Sequence, residues 1–264
     1  MSLNILPLQN NTFSRLYLRQ NLIVLEEVTS TNDYLKELLS NIKPLPEATA
    51  IMTNHQTKGK GQRGSSFLSN PGETLTMSFV LYPTDFNILQ SFNLNMLVCL
   101  GIQHWASELL PGVQIKWPND IYVNNRKLGG VLIENQLSGS QIRSSVIGIG
   151  INIKQQAFPE AIQDKASSLH LEDPTTQPQP LEHYGLSLLY AILALYKRID
   201  LQDTAQLLDA YNNGLFRKGL SAQYEIEGKT YLGVLQGVDS NGKLKVLIND
   251  QQRLFDLKEI GFKL

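Results

Sequence analysis

Between Leu94 and Leu109 the chain is apolar over most of the circumference of a helix. Leu94, Val98, Ile102, Trp105 and Leu109 recur at helical spacing, and Met96, Leu97, Leu100 and Ala106 fill the remaining faces. A helix so widely apolar must be largely enclosed by other elements, so this one predicts a central position in the core. Pro111-Gly112 stops it. The surrounding segments supply candidates for its cover. Leu75, Met77, Phe79 and Leu81 alternate with Thr76, Ser78 and Val80, the period of a strand with one face in the core. Leu22–Glu26 and Ala50–Thr53 read as further strands, separated by a helix that Ser30, Thr31 or Asn32 can cap. Lys127–Asn135 and Ile142–Ile151 read as a hairpin around Ser138-Gly139-Ser140. A polar, proline-bearing connection (152–180) leads to a helix with Leu181, Tyr184, Leu188, Ala191 and Leu195 on one face. A further helix carries Leu207, Leu208 and Tyr211.

From Arg217 onward the texture changes. Short apolar runs (222–226, 231–236, 243–248 and 253–257) are separated by Glu227-Gly228, Asn241-Gly242 and Asn249-Asp250. Asn-Gly between apolar runs is a strong hairpin signal, because both central residues of the favoured turn need positive φ. The reading is a small all-β barrel, and at about 48 residues it has to lean on the larger domain. This divides the chain into 1–216 and 217–264.

Composition narrows the function. The chain has 264 residues, 23 basic and 24 acidic side chains and a net charge of −1. Such balance gives no global pull toward nucleic acid or anionic membrane, so any anion site must be built locally. One cysteine, Cys99, excludes an internal disulfide, and no segment has the length and apolarity of a membrane span. The expectation is a cytoplasmic protein. His55, His104, His170 and His183 show no metal-ligand spacing to one another or to Cys99, so no metal site is predicted.

Two segments carry chemistry. Gly59, Gly61 and Gly64 formally satisfy G-x-G-x-x-G, but Ser65-Ser66-Phe67-Leu68-Ser69-Asn70-Pro71-Gly72 follows instead of a helix. A dinucleotide fingerprint needs that helix, so the motif fails on context. What remains is a glycine loop with Lys58, Lys60 and Arg63 within six residues, either an anion cradle or a solvated loop. The second segment is Lys116-Trp117-Pro118-Asn119-Asp120, a strand that halts in a turn, followed by Lys127-Leu128-Gly129-Gly130. Paired glycines inside an apolar strand imply close approach of something to the backbone, and a lysine beside them could reach it. A solvated strand-edge lysine is the alternative. Gly148-Ile149-Gly150-Ile151-Asn152 repeats the pattern. With no nucleophile elbow or Cys–His pair, the chemistry on offer is positioning plus cationic stabilisation, as phosphoryl and nucleotidyl transfer require.

Taken in order, Ser30-Thr31-Asn32, Gln56 with Gly59–Gly64, Lys116–Asp120, Lys127–Gly130 and Gly148–Asn152 resemble the biotin–protein ligases. The resemblance implies an α+β fold, a mixed-sheet catalytic domain of the biotin/lipoate ligase type with a small C-terminal SH3-like β-barrel. It implies activation of biotin with ATP and Mg²⁺ and transfer to a lysine of a biotin carboxyl-carrier protein. Ser30, Thr31, Asn32, Gln56, Lys60, Gly61, Gln62, Gly129 and Gly130 would then hold biotin. Gly59, Lys60, Arg63, Gly64, Trp117, Asn119 and Asn152 would hold the nucleotide. Lys127, Arg63, Asp120 and Lys116 would serve the chemistry, Lys127 meeting the biotin carboxylate and the α-phosphate. Many relatives carry arginine where this chain has Lys60 and Gln62, and tryptophan where it has Phe67. Lysine lacks arginine's bidentate fork, which implies looser retention of the adenylate. About 20 residues precede the first strand, too few for a helix-turn-helix, so the likeness is to the ligase-only type without nucleic-acid or membrane partners. The oligomeric state stays open, a homodimer included. The nearest rival is a lipoate–protein ligase, which shares the fold and adenylate chemistry but not the K-W-P-N-D run.

Overall fold

The computed structural model describes residues 20–42, 45–84, 86–175, 177–201 and 204–263, without the side chain of Arg63. Its larger part is a seven-stranded mixed sheet in the order β1-β2-β3-β7-β6-β5-β4. The strands are β1 (Leu22–Val28), β2 (Ala50–Gln56), β3 (Thr74–Leu81), β4 (Gln114–Lys116), β5 (Asp120–Val123), β6 (Arg126–Ser138) and β7 (Gln141–Asn152). Strands β1 and β2 run parallel and every other neighbouring pair is antiparallel. The parallel pair needs a crossover, which α1 (Thr31–Asn41) supplies. Of the three candidate caps Ser30 does the work, its side chain accepting from the Asp33 N–H. That leaves Thr31 and Asn32 free for other partners.

The apolar helix is α2 (Ser91–Ser107), and it is central as its wide apolar face requires. It packs with α4 (Leu181–Tyr196) and α5 (Ala205–Asn213) over the sheet face that carries Met52, Leu75, Met77, Phe79, Ile147, Ile149 and Ile151. Helix α2 ends at Ser107, before Pro111-Gly112, so Leu109 falls in the following turn and is exposed. The opposite sheet face meets α1, where Leu35 joins Ile51, Val80 and Val146 in a second cluster. Strand β3 is therefore buried on both faces, Thr76 and Ser78 included. Its polar alternates do not face water. A short helix, α3 (Leu169–Glu172), interrupts the connection after β7.

The C-terminal strands β8 (Ser221–Ile226), β9 (Lys229–Val238), β10 (Leu244–Ile248), β11 (Gln251–Phe255) and β12 (Gly261–Phe262) form a second, antiparallel sheet, ordered β11-β10-β9-β8-β12. Glu227-Gly228 and Asn249-Asp250 make tight turns with positive φ at both residues. Asn241-Gly242 differs. Only Gly242 has positive φ, and the Asp239 carboxylate caps the turn by accepting from Asn241 N and Lys243 N at 2.9 and 2.8 Å. The two sheets are joined by specific contacts: Trp117 Nε1 donates to the Gly242 carbonyl at 2.9 Å, and Lys116 Nζ lies 5.1 Å from the centre of the Phe262 ring. Among the described residues no helix is long and apolar enough to cross a membrane.

One carbonyl shows how the core fixes a turn. The Trp117–Pro118 peptide is cis, and Pro118 O accepts from Tyr211 OH at 2.6 Å and Asn95 Nδ2 at 2.8 Å. Tyr211 is fully buried. Tyr211→Phe keeps the ring and removes one of those donors, so it should cost about 1 kcal/mol of stability. Urea unfolding of the two proteins measures this, and an unchanged midpoint would show that the hydroxyl does not hold the turn.

Candidate functional site

A cleft of about 340 Å³ opens on the α1 face of the large sheet. Its floor exists because side chains are missing. In register, Gly150 lies between Thr76 and Gly130, and Gly148 between Ser78 and Leu132. A Cβ on Gly148 would collide with the Asn32 amide, and one on Gly150 with the Phe67 ring. Glycine is thus required by the close approach of α1 and the loop, not by backbone conformation.

One end of the cleft is a buried polar cluster. Ser78 Oγ lies 2.7 Å from Thr31 Oγ1 and 2.6 Å from Asn32 Oδ1, while Gln56 Oε1 accepts from Thr31 N at 2.9 Å. Asn32 Nδ2 donates to Glu134 Oε2 at 2.8 Å. Ser30, Thr31, Asn32 and Gln56 are all buried and all line the cleft. Ser78 and Glu134 were not singled out in the sequence. Ser78 had a legible signal, a small hydroxyl on the polar alternation of β3, whereas nothing local marks Glu134.

The glycine loop arches over this end as a small hairpin. Gly61 N donates to Ser65 O at 2.7 Å and Phe67 N to Gly59 O at 2.9 Å, around a 3-10 turn over Gln62–Gly64. Lys60, Gly61, Gln62 and Phe67 line the cleft. Gly59 and Gly64 do not; Gly59 is pressed against Gln56, and Gly64, with φ +83, supplies the turn. The side chain of Arg63 lies outside the described residues. Lys60 pairs with Asp33 at 2.6 Å, Asp33 with Lys36 at 2.9 Å, and Lys36 with Glu134 at 2.7 Å. Burial works against the Asp33 charge, yet the hydrogen bonds from Lys60 and Lys36 prevail and hold its carboxyl below the usual aspartate range.

The other end is cationic. Lys127 Nζ contacts Asp120 Oδ1 at 2.6 Å, with side chains 37% and 22% exposed. Both stand beside Gly130, where an added Cβ would meet Asp120 Oδ1 at 3.0 Å and Lys127 Nζ at 3.5 Å. Gly129 faces away, toward Ile151 and the Gly150 carbonyl. Lys116 lies 5.1 Å from the ring centres of both Tyr122 and Phe262. Its ammonium is pushed below lysine's ordinary range, chiefly by burial; Asp120 opposes this, and Lys127 and Arg217 add to it. Trp117 and Asn119 line the cleft with their polar atoms engaged, Trp117 on Gly242 and Asn119 Nδ2 on the Val131 carbonyl. Leu257, Lys258, Ile260, Gly261 and Phe262 reach in from the second sheet.

Asn152 is not brought to the cleft. Its Nδ2 donates to Ser167 O at 3.0 Å, and its Oδ1 accepts from Gln155 Nε2 at 3.1 Å. Among the described residues no three His, Cys, Asp or Glu side chains gather as a metal site. Cys99 is buried and its thiol is pushed up by burial and by Asp120, so it is no nucleophile.

Fold and cleft together define a two-sheet α+β protein with a small-molecule site, hydrogen-bonding at one end and cationic at the other. Residues 24–152, just under half of the chain, match the family described as Biotin/lipoate A/B protein ligase family. It is 36% identical over 154 residues to the bifunctional ligase/repressor BirA of Bacillus spizizenii, covering 57% of this chain and 46% of that protein. The chain thus spans about half the length of that relative. It is 25% identical over 227 residues to the biotin–[acetyl-CoA-carboxylase] ligase of Paracoccus denitrificans, covering 84% and 92% of the two chains. The solved biotin protein ligase of Aquifex aeolicus, in complex with biotin and ATP, superposes with a TM-score of 0.74 at 29% identity, over 92% of this chain and 99% of that one.

The Lys60–Asp33 pair latches the loop to the first turn of α1. Both partners are part-exposed, so the pair contributes no more than about 1 kcal/mol, which corresponds to about fivefold in the population of open loop. Asp33→Asn should raise the rate of tryptic cleavage after Lys58 and Lys60 by about that factor. Equal cleavage of the two proteins would mean that the glycine hairpin, not the ion pair, keeps the loop closed.

Proposed function

We propose that this chain activates biotin with ATP to biotinyl-5′-AMP and transfers the biotinyl group to a specific lysine of a biotin carboxyl-carrier protein. The observation that carries the reading is the pairing, in one cleft, of a buried amide-and-hydroxyl cluster with the Lys127–Asp120 ion pair. A buried urea needs every polar atom matched by a partner, and Thr31, Asn32, Gln56 and Ser78 offer both donors and acceptors. A dithiolane ring has no such need, and this favours biotin over lipoate. The family and the relatives' activities support the same reading.

In the first step a biotin carboxylate oxygen forms a bond to the α-phosphorus, and the bond to pyrophosphate breaks. The carboxylate and the phosphate are both anionic, so their approach must be neutralised. Lys127 is placed for that, held by Asp120 and beside Gly130 where the backbone lets a ligand come close. A cation about 4 Å from a phosphate oxygen interacts by about 4 kcal/mol at an effective dielectric near 20. Lys60 and Arg63 close over the anion from the loop, with Gly59, Gly61, Gln62 and Gly64 shaping it. Lys116, Trp117 and Asn119 form the nucleotide wall. Asp120 is the cleft's one catalytic carboxylate in this scheme, which suits a magnesium ion carried in on the phosphates rather than one held by a protein cage. In the second step the acceptor lysine nitrogen attacks the acyl carbon and AMP leaves.

We read residues 217–264 as a separate SH3-like barrel docked on a catalytic domain of residues 1–216. Lys258 and Phe262 line the cleft, which supports a role for this part beside the nucleotide and the incoming acceptor. The reading implies neither a nucleic-acid nor a membrane partner, and a cytoplasmic location.

ATP–pyrophosphate exchange should depend on biotin and not on lipoate, and mass spectrometry of a carrier domain should show one added biotinyl group. Exchange driven by lipoate alone would overturn the assignment. Lys127→Ala should lower adenylate formation on the order of 10²–10³-fold with little change in thermal stability, since the group is preorganised and part-exposed. Turnover near the parent rate would remove Lys127 from its role.

A further inference from the structure

Lys127 sits where β6 has lost its neighbour. Strand β7 ends at Asn152, and its last pairings with β6 involve Gly129 and Gly130. At Lys127 the vacated place is taken by residues 165–167, which pair in parallel with it. Lys127 N donates to Lys165 O at 2.7 Å, and Ser167 N donates to Lys127 O at 2.9 Å. The main chain of Lys127 is therefore held by a loop segment, and something has to hold that segment.

Glu172 does. Its side chain is 4% exposed, an unusual state for a carboxylate and a tolerable one only when it is paired and hydrogen-bonded. Oε1 accepts from Arg126 Nη2 at 2.7 Å and from the Ser167 hydroxyl; Oε2 accepts from Asn124 Nδ2 at 2.6 Å. One buried group thus ties together the β5–β6 turn, the residue just before Lys127, and the segment paired with Lys127. Asn152 completes the arrangement by donating to Ser167 O at 3.0 Å. Glu172 lies 45 positions along the chain from Lys127 and is not among the residues that line the cleft.

We propose that Glu172 is a positioning residue for adenylate formation, fixing the Lys127 backbone so that its ammonium points at the reacting phosphate. The proposal rests on the reading of Lys127 given above. A misplacement of about 1 Å at a reacting centre can cost up to about a hundredfold in rate, whereas the polar cluster that holds the ring end is anchored elsewhere, on α1, β2 and β3. Loosening Glu172 should therefore lower the rate of chemistry and leave biotin binding alone.

The test is a double-mutant cycle on single-turnover biotinyl-adenylate formation by the full chain. The proteins are the parent, Glu172→Gln, Lys127→Ala and the double variant, each with biotin affinity measured by calorimetry. Glu172→Gln is expected to lower the rate on the order of tenfold, with biotin Kd unchanged, and to lower it no further once Lys127 is alanine. An equal loss in both backgrounds, or a parallel loss of biotin affinity, would show that Glu172 acts on general stability and would overturn the proposal. If Glu172→Gln fails to fold, Ser167→Ala takes its place, with a smaller loss and the same non-additivity expected. A parent-like rate in Lys127→Ala would remove the underlying reading and the proposal with it. Impaired Lys127→Ala with additive losses would sink the proposal alone.

Discussion

The structure depends on a strip of sheet that carries no side chains. Gly130, Gly148 and Gly150 sit on adjacent strands in the middle of a seven-stranded sheet, where bulk would ordinarily be packed. The hollow they leave admits Asn32 from α1 and Phe67 from the loop, and the rest of the volume is the cleft. The opposite face of the same strands carries Val131, Ile147, Ile149 and Ile151 into the main core, with α2 across them. Stability and function are thus separated by the pleat: one face is filled and the other is emptied. A one-residue slip of β7 would exchange them, which is why the register has to be fixed by a core as continuous as this one.

Around that hollow the polar groups do not act singly. From Lys60 the contacts run through Asp33 and Lys36 to Glu134, then through Asn32 and Ser78 to Thr31 and Gln56. The exposed part of this chain is weak and the buried part is strong, because an unmatched polar atom costs far more where water cannot replace its partner. The loop can therefore open while the floor keeps its geometry.

Much of this was legible in the sequence, and the limits were physical. The widely apolar α2, the alternation of β3 and the glycine pairs mark their own positions, because periodicity and missing side chains are local properties. The motifs from Ser30-Thr31-Asn32 to Gly148 and Gly150 supply much of the lining of the cleft. What was hidden depended on chain-distant contacts. Thr76 and Ser78 read as a solvent face, since a buried second face is visible only when α1 is known to cover it. The loop's glycines read as an anion cradle or a solvated loop, although two of them, Gly59 and Gly64, shape the hairpin and do not line the cleft. Asn152 stood in a motif and was expected at the nucleotide, yet its amide is spent on Ser167 and Gln155. Glu172, in a polar connection with no motif, gave no signal.

The same distance-dependence explains how the second sheet comes to matter. Its hairpin turns are readable one by one, but its position is set by bonds that belong to the first sheet's site. Trp117, in the turn after β4, donates to Gly242, and the rings of Phe262 and Tyr122 both lie against the Lys116 ammonium. An aromatic pair of this kind favours the charged ammonium, whereas burial disfavours it, so the two effects oppose each other at a single nitrogen. Displacing β12 would remove the ring and admit water together, changing both terms. The charge on Lys116 is therefore coupled to the docking of the C-terminal sheet, and through Asp120, whose charge opposes the burial of Lys116, to Lys127. A module with no catalytic constellation of its own thereby bears on the electrostatics of the cleft by where it sits.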